Sequence, residues 1–149
     1  IVPGDKVKIN VLLKGAGSEN MASRAMLSPA QGRQGIVDFV VSAVEEAGSN
    51  PCPPLIVGVG IGGTAEKAMI LAKKASLRPV GQSNPDLEVA NLERELLKRI
   101  NALGIGPQGF GGRITALAVH AETFSNSLLK VSSGVPRQIL RARYKEAIF

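Results

Sequence analysis

Cys52 is the only cysteine of this 149-residue chain, and it stands in Asn50-Pro51-Cys52-Pro53-Pro54. Proline fixes its own φ near about −65° and pushes the residue before it toward extended geometry, so Pro51 and Pro53 confine the thiol to a narrow range of directions. A thiol placed this way suits a metal ligand or a nucleophile. The competing reading is a small buried hydrophobe, which is how most free cysteines behave.

Other chemistry-bearing groups are few. The sole histidine, His120, falls inside the apolar run Leu117-Ala118-Val119-His120-Ala121 and reads as a satisfied structural histidine. With one cysteine and one histidine, a zinc site of four Cys/His ligands cannot be built, so any metal centre must borrow ligands from elsewhere. Three glycine-rich segments supply the second signal: Gly15 to Asn20, Gly58 to Thr64, and Gly104 to Gly112. Glycine lets backbone N–H groups approach a ligand closely, and such loops cradle anions or cofactors; they serve equally as turns. Gly58, Gly60 and Gly63 match the G-x-G-x-x-G spacing of a dinucleotide site. That reading fails because the acidic ribose-binding residue due about 20 residues on is missing from Arg78-Pro79-Val80-Gly81-Gln82.

The elements that must position these groups follow from periodicity. Val7, Ile9, Val11 and Leu13 alternate over Lys6 to Leu13, as in a half-buried strand that ends at the Gly15–Asn20 loop. Ile36, Phe39, Val40 and Val44, flanked by Val37 and Val41, predict an amphipathic helix from about Gln34 to Ala47, stopped by Gly48. Leu55-Ile56-Val57 with Val59 is a short strand buried on both faces, and Thr64 caps a helix over 65–75. Asn84 as N-cap with Pro85 at the first helical position starts a further helix. Its stripe Val89, Leu92, Leu96, Ile100, Leu103 ends at Gly104, and Ile114 to Glu122 reads as another strand. Strands alternating with helices give an α/β class, with mixed α+β as the variant, in one compact domain.

Composition narrows the class. The chain is 44% hydrophobic and 20% charged, enough to bury a core, and it holds no run of the ~20 apolar residues that span a bilayer. One cysteine excludes an internal disulfide and fits a reducing cytoplasm. The net charge of +6 is most evident at Arg137, Arg141, Arg143 and Lys145, yet 3% aromatic content leaves no stacking platform for single-stranded nucleic acid. Ile1 in place of Met, ahead of the turn Val2-Pro3-Gly4-Asp5, suggests a piece of a longer polypeptide.

Four motifs in order carry a resemblance: Gly15-Ala16-Gly17-Ser18-Glu19-Asn20; Asn50-Pro51-Cys52-Pro53-Pro54; Gly58-Val59-Gly60-Ile61-Gly62-Gly63-Thr64; and Leu103-Gly104-Ile105-Gly106-Pro107-Gln108-Gly109-Phe110-Gly111-Gly112 with Thr115-Ala116-Leu117. From about Pro3 to Thr123 the chain resembles the later part of the alpha subunit of class I fumarate hydratase and L-tartrate dehydratase, the iron-sulfur hydro-lyases. The resemblance implies a 4Fe-4S cluster held by three cysteines, with Cys52 matching the middle ligand and the open iron acting as a Lewis acid on a departing hydroxyl. It places Gly15, Gly17, Ser18, Glu19 and Asn20 close to a dicarboxylate substrate, and Gly62, Gly63 and Thr64 near the cluster. It implies reversible trans addition of water to fumarate or a related dicarboxylate. A beta subunit or C-terminal domain would supply part of the acid-base apparatus within a homo- or hetero-oligomer, with no nucleic-acid or membrane partner.

Two further family groups do not carry over. A gapless register puts the family's Pro-Thr-His segment at Ser125-Asn126-Ser127 and its third cluster cysteine at Ile139, and the likeness resumes at Arg143, Lys145 and Glu146. Ile139 cannot ligate iron, and Ser127 cannot replace an imidazole that titrates near neutrality. The resemblance divides the domain into a family-like portion, 1–123, and a divergent stretch, 124–149. Either this version is a cluster-free binding or structural subunit, or a compensated pair of reading-frame errors lies between about Phe124 and Arg143. A serine-asparagine-serine encoded TCC AAC TCA reads Pro-Thr-His one nucleotide later, whereas the same shift cannot turn Ile139 into cysteine.

Overall fold

A computed structural model describes residues 3–124 and 143–148. The order is β1 (Lys8–Leu13), α1 (Ala16–Asn20), a 3-10 turn at Pro29–Gln31, α2 (Gly32–Ala47), β2 (Leu55–Ile61), α3 (Ala65–Ala75), α4 (Leu87–Ala102), a 3-10 turn at Pro107–Gly109, β3 (Ala116–Thr123) and β4 (Arg143–Ile148). β2 and β3 pair in parallel, with Val57 opposite Val119 and Gly60 opposite Glu122. β1 and β4 form a separate antiparallel ribbon. The class is α/β, as the alternation of elements predicts, and among the described residues no helix is long and apolar enough to cross a membrane.

Alternation along β2 sorts the helices onto two faces. Leu55, Val57 and Val59 join Val37, Val40, Val44, Leu92, Leu96, Ile100 and Val119 in one core, so α2 and α4 cover that face. Gly58 and Gly60 point the other way, where α3 lies directly on the strand. A Cβ on Gly60 would sit 1.9 Å from the Ala68 carbonyl oxygen, and one on Gly58 would sit 2.2 Å from that of Ala72. These two glycines of the G-x-G-x-x-G match are therefore a packing device for α3.

Side chains close the outer edge of β3 at both ends. The Asn101 carboxamide accepts from Thr115 N and Ala116 N, at 2.8 and 2.9 Å, and donates to Ala116 O at 3.2 Å. Glu93 Oε1 accepts from Ala121 N at 2.7 Å, while Arg78 Nη2 and Asn84 Nδ2 donate to Ala121 O, both at 2.9 Å. Glu93 and Arg78 also pair with each other at 2.6 Å, with side chains 7% and 10% exposed.

Several expectations are corrected. The long helix is capped by Asp86, whose carboxylate accepts from Glu88 N and Val89 N; Asn84 instead accepts from Asp86 N, so Pro85 lies in the turn before the helix. The stripe itself holds, with Val89, Leu92, Leu96 and Ile100 buried. α2 begins at Gly32, two residues early, because the 3-10 turn runs straight into it. β2 continues to Ile61, and β3 runs from Ala116 to Thr123. The half-burial expected of β1 is not found: Val7, Ile9, Val11 and Leu13 are 60, 45, 47 and 70% exposed, since the ribbon shares no extended packing with the described helices. Ser125-Asn126-Ser127 and Ile139 lie outside the described residues. Of 124–149 only Phe124 and the β4 backbone are described, with Arg143 opposite Leu13 and Lys145 opposite Val11.

Candidate active site

Cys52 lies in the connection from α2 to β2, and its backbone takes a φ of +53°, a left-handed conformation that non-glycine residues seldom adopt. Its N–H donates to Ser49 O at 2.8 Å, closing a tight turn. The thiol is free and exposed, which overturns the buried-hydrophobe reading. Among the described residues, the thiol faces Asn50 O, at 3.8 Å.

Two of the glycine-rich segments meet this turn. The Gly104–Gly112 loop docks on it through Gln108 N, which donates to Pro53 O at 2.9 Å, and through Gly109, where a Cβ would come within 2.4 Å of the Ser49 Cβ. Gly106 has φ +67° and permits the loop to fold back on itself, leaving only 2.0 Å between a hypothetical Cβ and Gly111 O. On another side is the Gly15–Asn20 segment, expected as a loop and found as the single helical turn α1. A Cβ on Gly17 would lie 3.4 Å from Asn50 O, the same oxygen the Cys52 thiol faces, and Asn50 Nδ2 reaches Met21 Sδ at 3.8 Å. The first, second and fourth motifs of the sequence thus converge.

The third does not. Gly62, Gly63 and Thr64, expected near the cluster, sit beyond the end of β2 opposite Cys52, about 20 Å from the strand's start at strand rise. Their work is local: Gly62, at φ +99°, passes against Phe124 O, and Thr64 Oγ1 accepts from Lys67 N to cap α3.

The periodicity reading missed Lys14 and Lys73. Lys14 has a side chain 8% exposed; its Nζ donates to Ser18 O at 3.2 Å and to Glu19 Oε2 at 2.5 Å. Lys73 on α3 pairs with the other Glu19 oxygen, at 3.2 Å. The hydrogen bond from Lys14 holds the Glu19 carboxyl below its ordinary pKa, with Lys73 adding to the effect. Burial pushes the Lys14 ammonium down. A lysine one residue before a glycine run is legible in sequence, but its partner on α3 is visible only once the chain is folded.

His120 is buried, 3% exposed, in keeping with a structural role, but its Nδ1 has no hydrogen-bond partner among the described residues. Burial lowers its pKa, the Arg78 guanidinium adds to that, and Glu93 and the Ala75 carbonyl oppose it. A cavity of about 150 Å³ at the edge of β3 is lined by Gln82, Ser83, Glu93, Arg94 and His120, and by none of the residues around Cys52.

Among the described residues no three His, Cys, Asp or Glu side chains come together to hold a metal ion. An exposed thiol with no strong partner among the described residues fits one position of a thiolate-held cluster completed by ligands outside them. It does not fit a centre enclosed within them.

The family described as fumarate hydratase (fumerase) matches residues 1–146. A Methanocaldococcus jannaschii protein named as an L(+)-tartrate dehydratase alpha subunit is 55% identical over 117 residues, 78% of this chain and 41% of its own length. The L(+)-tartrate dehydratase alpha subunits of Escherichia coli O157:H7 and K12 are 41% and 40% identical over 124 residues, 83% of this chain and again 41% of theirs. The chain thus aligns with about two fifths of the length of these relatives, and with a match over nearly all its residues it belongs to the fumarate hydratase family.

Proposed function

We propose that the chain is part of the alpha component of a hydro-lyase that reversibly hydrates fumarate, or dehydrates a malate- or tartrate-type hydroxy-dicarboxylate. Cys52 would be one thiolate ligand of a 4Fe-4S cluster, whose remaining ligands lie outside the described residues. The observation that supports this most is the shared environment of Asn50 O, which brings the exposed Cys52 thiol and the Gly15–Asn20 turn to one place. When bound, such a cluster supplies an open iron as Lewis acid for the leaving hydroxyl. The chain's own residues hold the site: Ser49 and Gln108 fix the Cys52 turn, and the Gly15–Asn20 turn forms the substrate side.

The N–H groups of Ser18 and Glu19 already donate to Gly15 O, each at 3.1 Å, so the carboxylate is left to other groups of this turn. A beta subunit or C-terminal domain completes the acid-base set, and the assembly works in the cytoplasm. The test is turnover by the full-length polypeptide, assembled with its partner and reconstituted anaerobically with iron and sulfide. Fumarate hydration or tartrate dehydration above the Cys52→Ser background supports the reading, and the faster substrate decides between the two. The absence of turnover on either substrate contradicts it.

A second reading rests on Ser127 and Ile139, which stand where the resemblance expects an imidazole and a thiolate. On that reading the chain is a cluster-free subunit of the same family. A colourless protein after anaerobic reconstitution is its signature.

A further inference from the structure

The α1 turn is too short to hold itself. Helices below about 12 residues are marginal alone; this one has five residues, none buried, and no side-chain cap at its N-terminus. What fixes it lies outside it. Lys14 Nζ binds the Ser18 carbonyl and one Glu19 oxygen, Lys73 Nζ binds the other Glu19 oxygen from α3, and Gly17 and Met21 rest against Asn50. With an ammonium on each oxygen, Glu19 has its charge neutralised and its strongest acceptor sites taken. A free carboxylate there would repel a dicarboxylate. We propose that Lys14, Glu19 and Lys73 form a clamp that seats the Gly15–Asn20 turn on the Cys52 loop, which makes Glu19 a positioning residue and not a substrate contact. The role in turnover rests on the hydro-lyase reading; the clamp itself does not.

The test uses the full-length polypeptide assembled with its partner, in Lys73→Met, Glu19→Gln, Lys14→Met and Lys14→Arg forms. Lys73 has a half-exposed side chain, so its replacement leaves folding intact and keeps the test decisive even where a Lys14 variant fails to fold. Amide hydrogen exchange over residues 16–22 is expected to quicken about tenfold in Lys73→Met and Glu19→Gln while β2 amides stay protected. In the active enzyme the same two variants raise KM for the dicarboxylate about tenfold and leave kcat within about twofold, and Lys14→Arg stays near wild type. Unchanged exchange in both variants overturns the clamp. A KM effect in Glu19→Gln with none in Lys73→Met makes Glu19 a direct substrate contact and also overturns it. A wild type without turnover overturns the hydro-lyase reading and the positioning role with it, while the exchange result still decides whether the clamp exists.

Discussion

At the scale of single residues, the buried charges show how this fold tolerates polarity. Glu93 Oε1 serves Arg78 and the Ala121 N–H together, so the carboxylate finishes the sheet edge that β3 leaves open. Removing it takes one of two carboxylates from a buried guanidinium, which keeps Glu122 Oε1 at 3.0 Å, and leaves the Ala121 N–H without its acceptor. Glu93→Leu is expected to cost about 2–3 kcal/mol, read as a drop in the urea midpoint at constant m; a loss below about 1 kcal/mol would mean that Glu122 holds Arg78 unaided. His120 gives the pH dependence. Its folded pKa lies below the ordinary 6.5 because of burial and Arg78, so the unfolded chain binds the proton more readily. Its contribution is fully present above about pH 6.5 and is lost as pH falls through the folded value. Urea denaturation at a series of pH values between 7.5 and 5 should show stability falling with acidification, and His120→Gln should flatten that slope. An equal slope in the variant would assign the effect elsewhere, with Glu19 and Glu122 the alternatives at lower pH, since ion pairs hold both carboxyls below their usual range.

Elements follow from capping and close packing, and the sequence discloses these unequally. The stripe from Val89 to Ile100 was legible because burial of one helical face leaves a period in the residues themselves. The cap one turn earlier was not: Asn84, Pro85 and Asp86 all suit a helix start, and only the folded chain shows Asp86 accepting the N–H groups while Asn84 reaches across to Ala121 O. Asp86→Ala should therefore cost about 1 kcal/mol of helix stability. The glycines of β2 read equally as an anion cradle or as packing, and the 1.9 Å separation beneath Gly60 decides for packing. Gly60→Ala must lift α3 off the sheet and is expected to cost at least about 3 kcal/mol. Gly15→Ala has φ −75° and open space around the added methyl, so thermal melts should leave it within about 0.5 kcal/mol of the parent. Comparable melting of the two variants would refute this account of β2.

For the whole molecule, the order of motifs disclosed the family, whereas distances across the fold were hidden. Gly62–Thr64 stands close to Cys52 in sequence, but a fully extended β2 lies between them. Gly17 and Gly109 are far from Cys52 in sequence and lie against its turn. Local patterning reports which residues share a face of one element; it carries no signal for which loops end at the same point in space. The exposed apolar row of β1 shows the same limit, because alternation predicts a face to be covered without naming what covers it. The central claim concerns Cys52, a thiol free in this chain and suited to iron when other thiolates join it. The direct measurement is iron and acid-labile sulfide content, with the visible spectrum, of the anaerobically reconstituted full assembly beside its Cys52→Ser variant. The account predicts a brown, oxygen-sensitive protein whose iron and sulfide fall to background in the variant. Equal iron in both, or a colourless parent, would contradict it and move the cluster-free reading ahead.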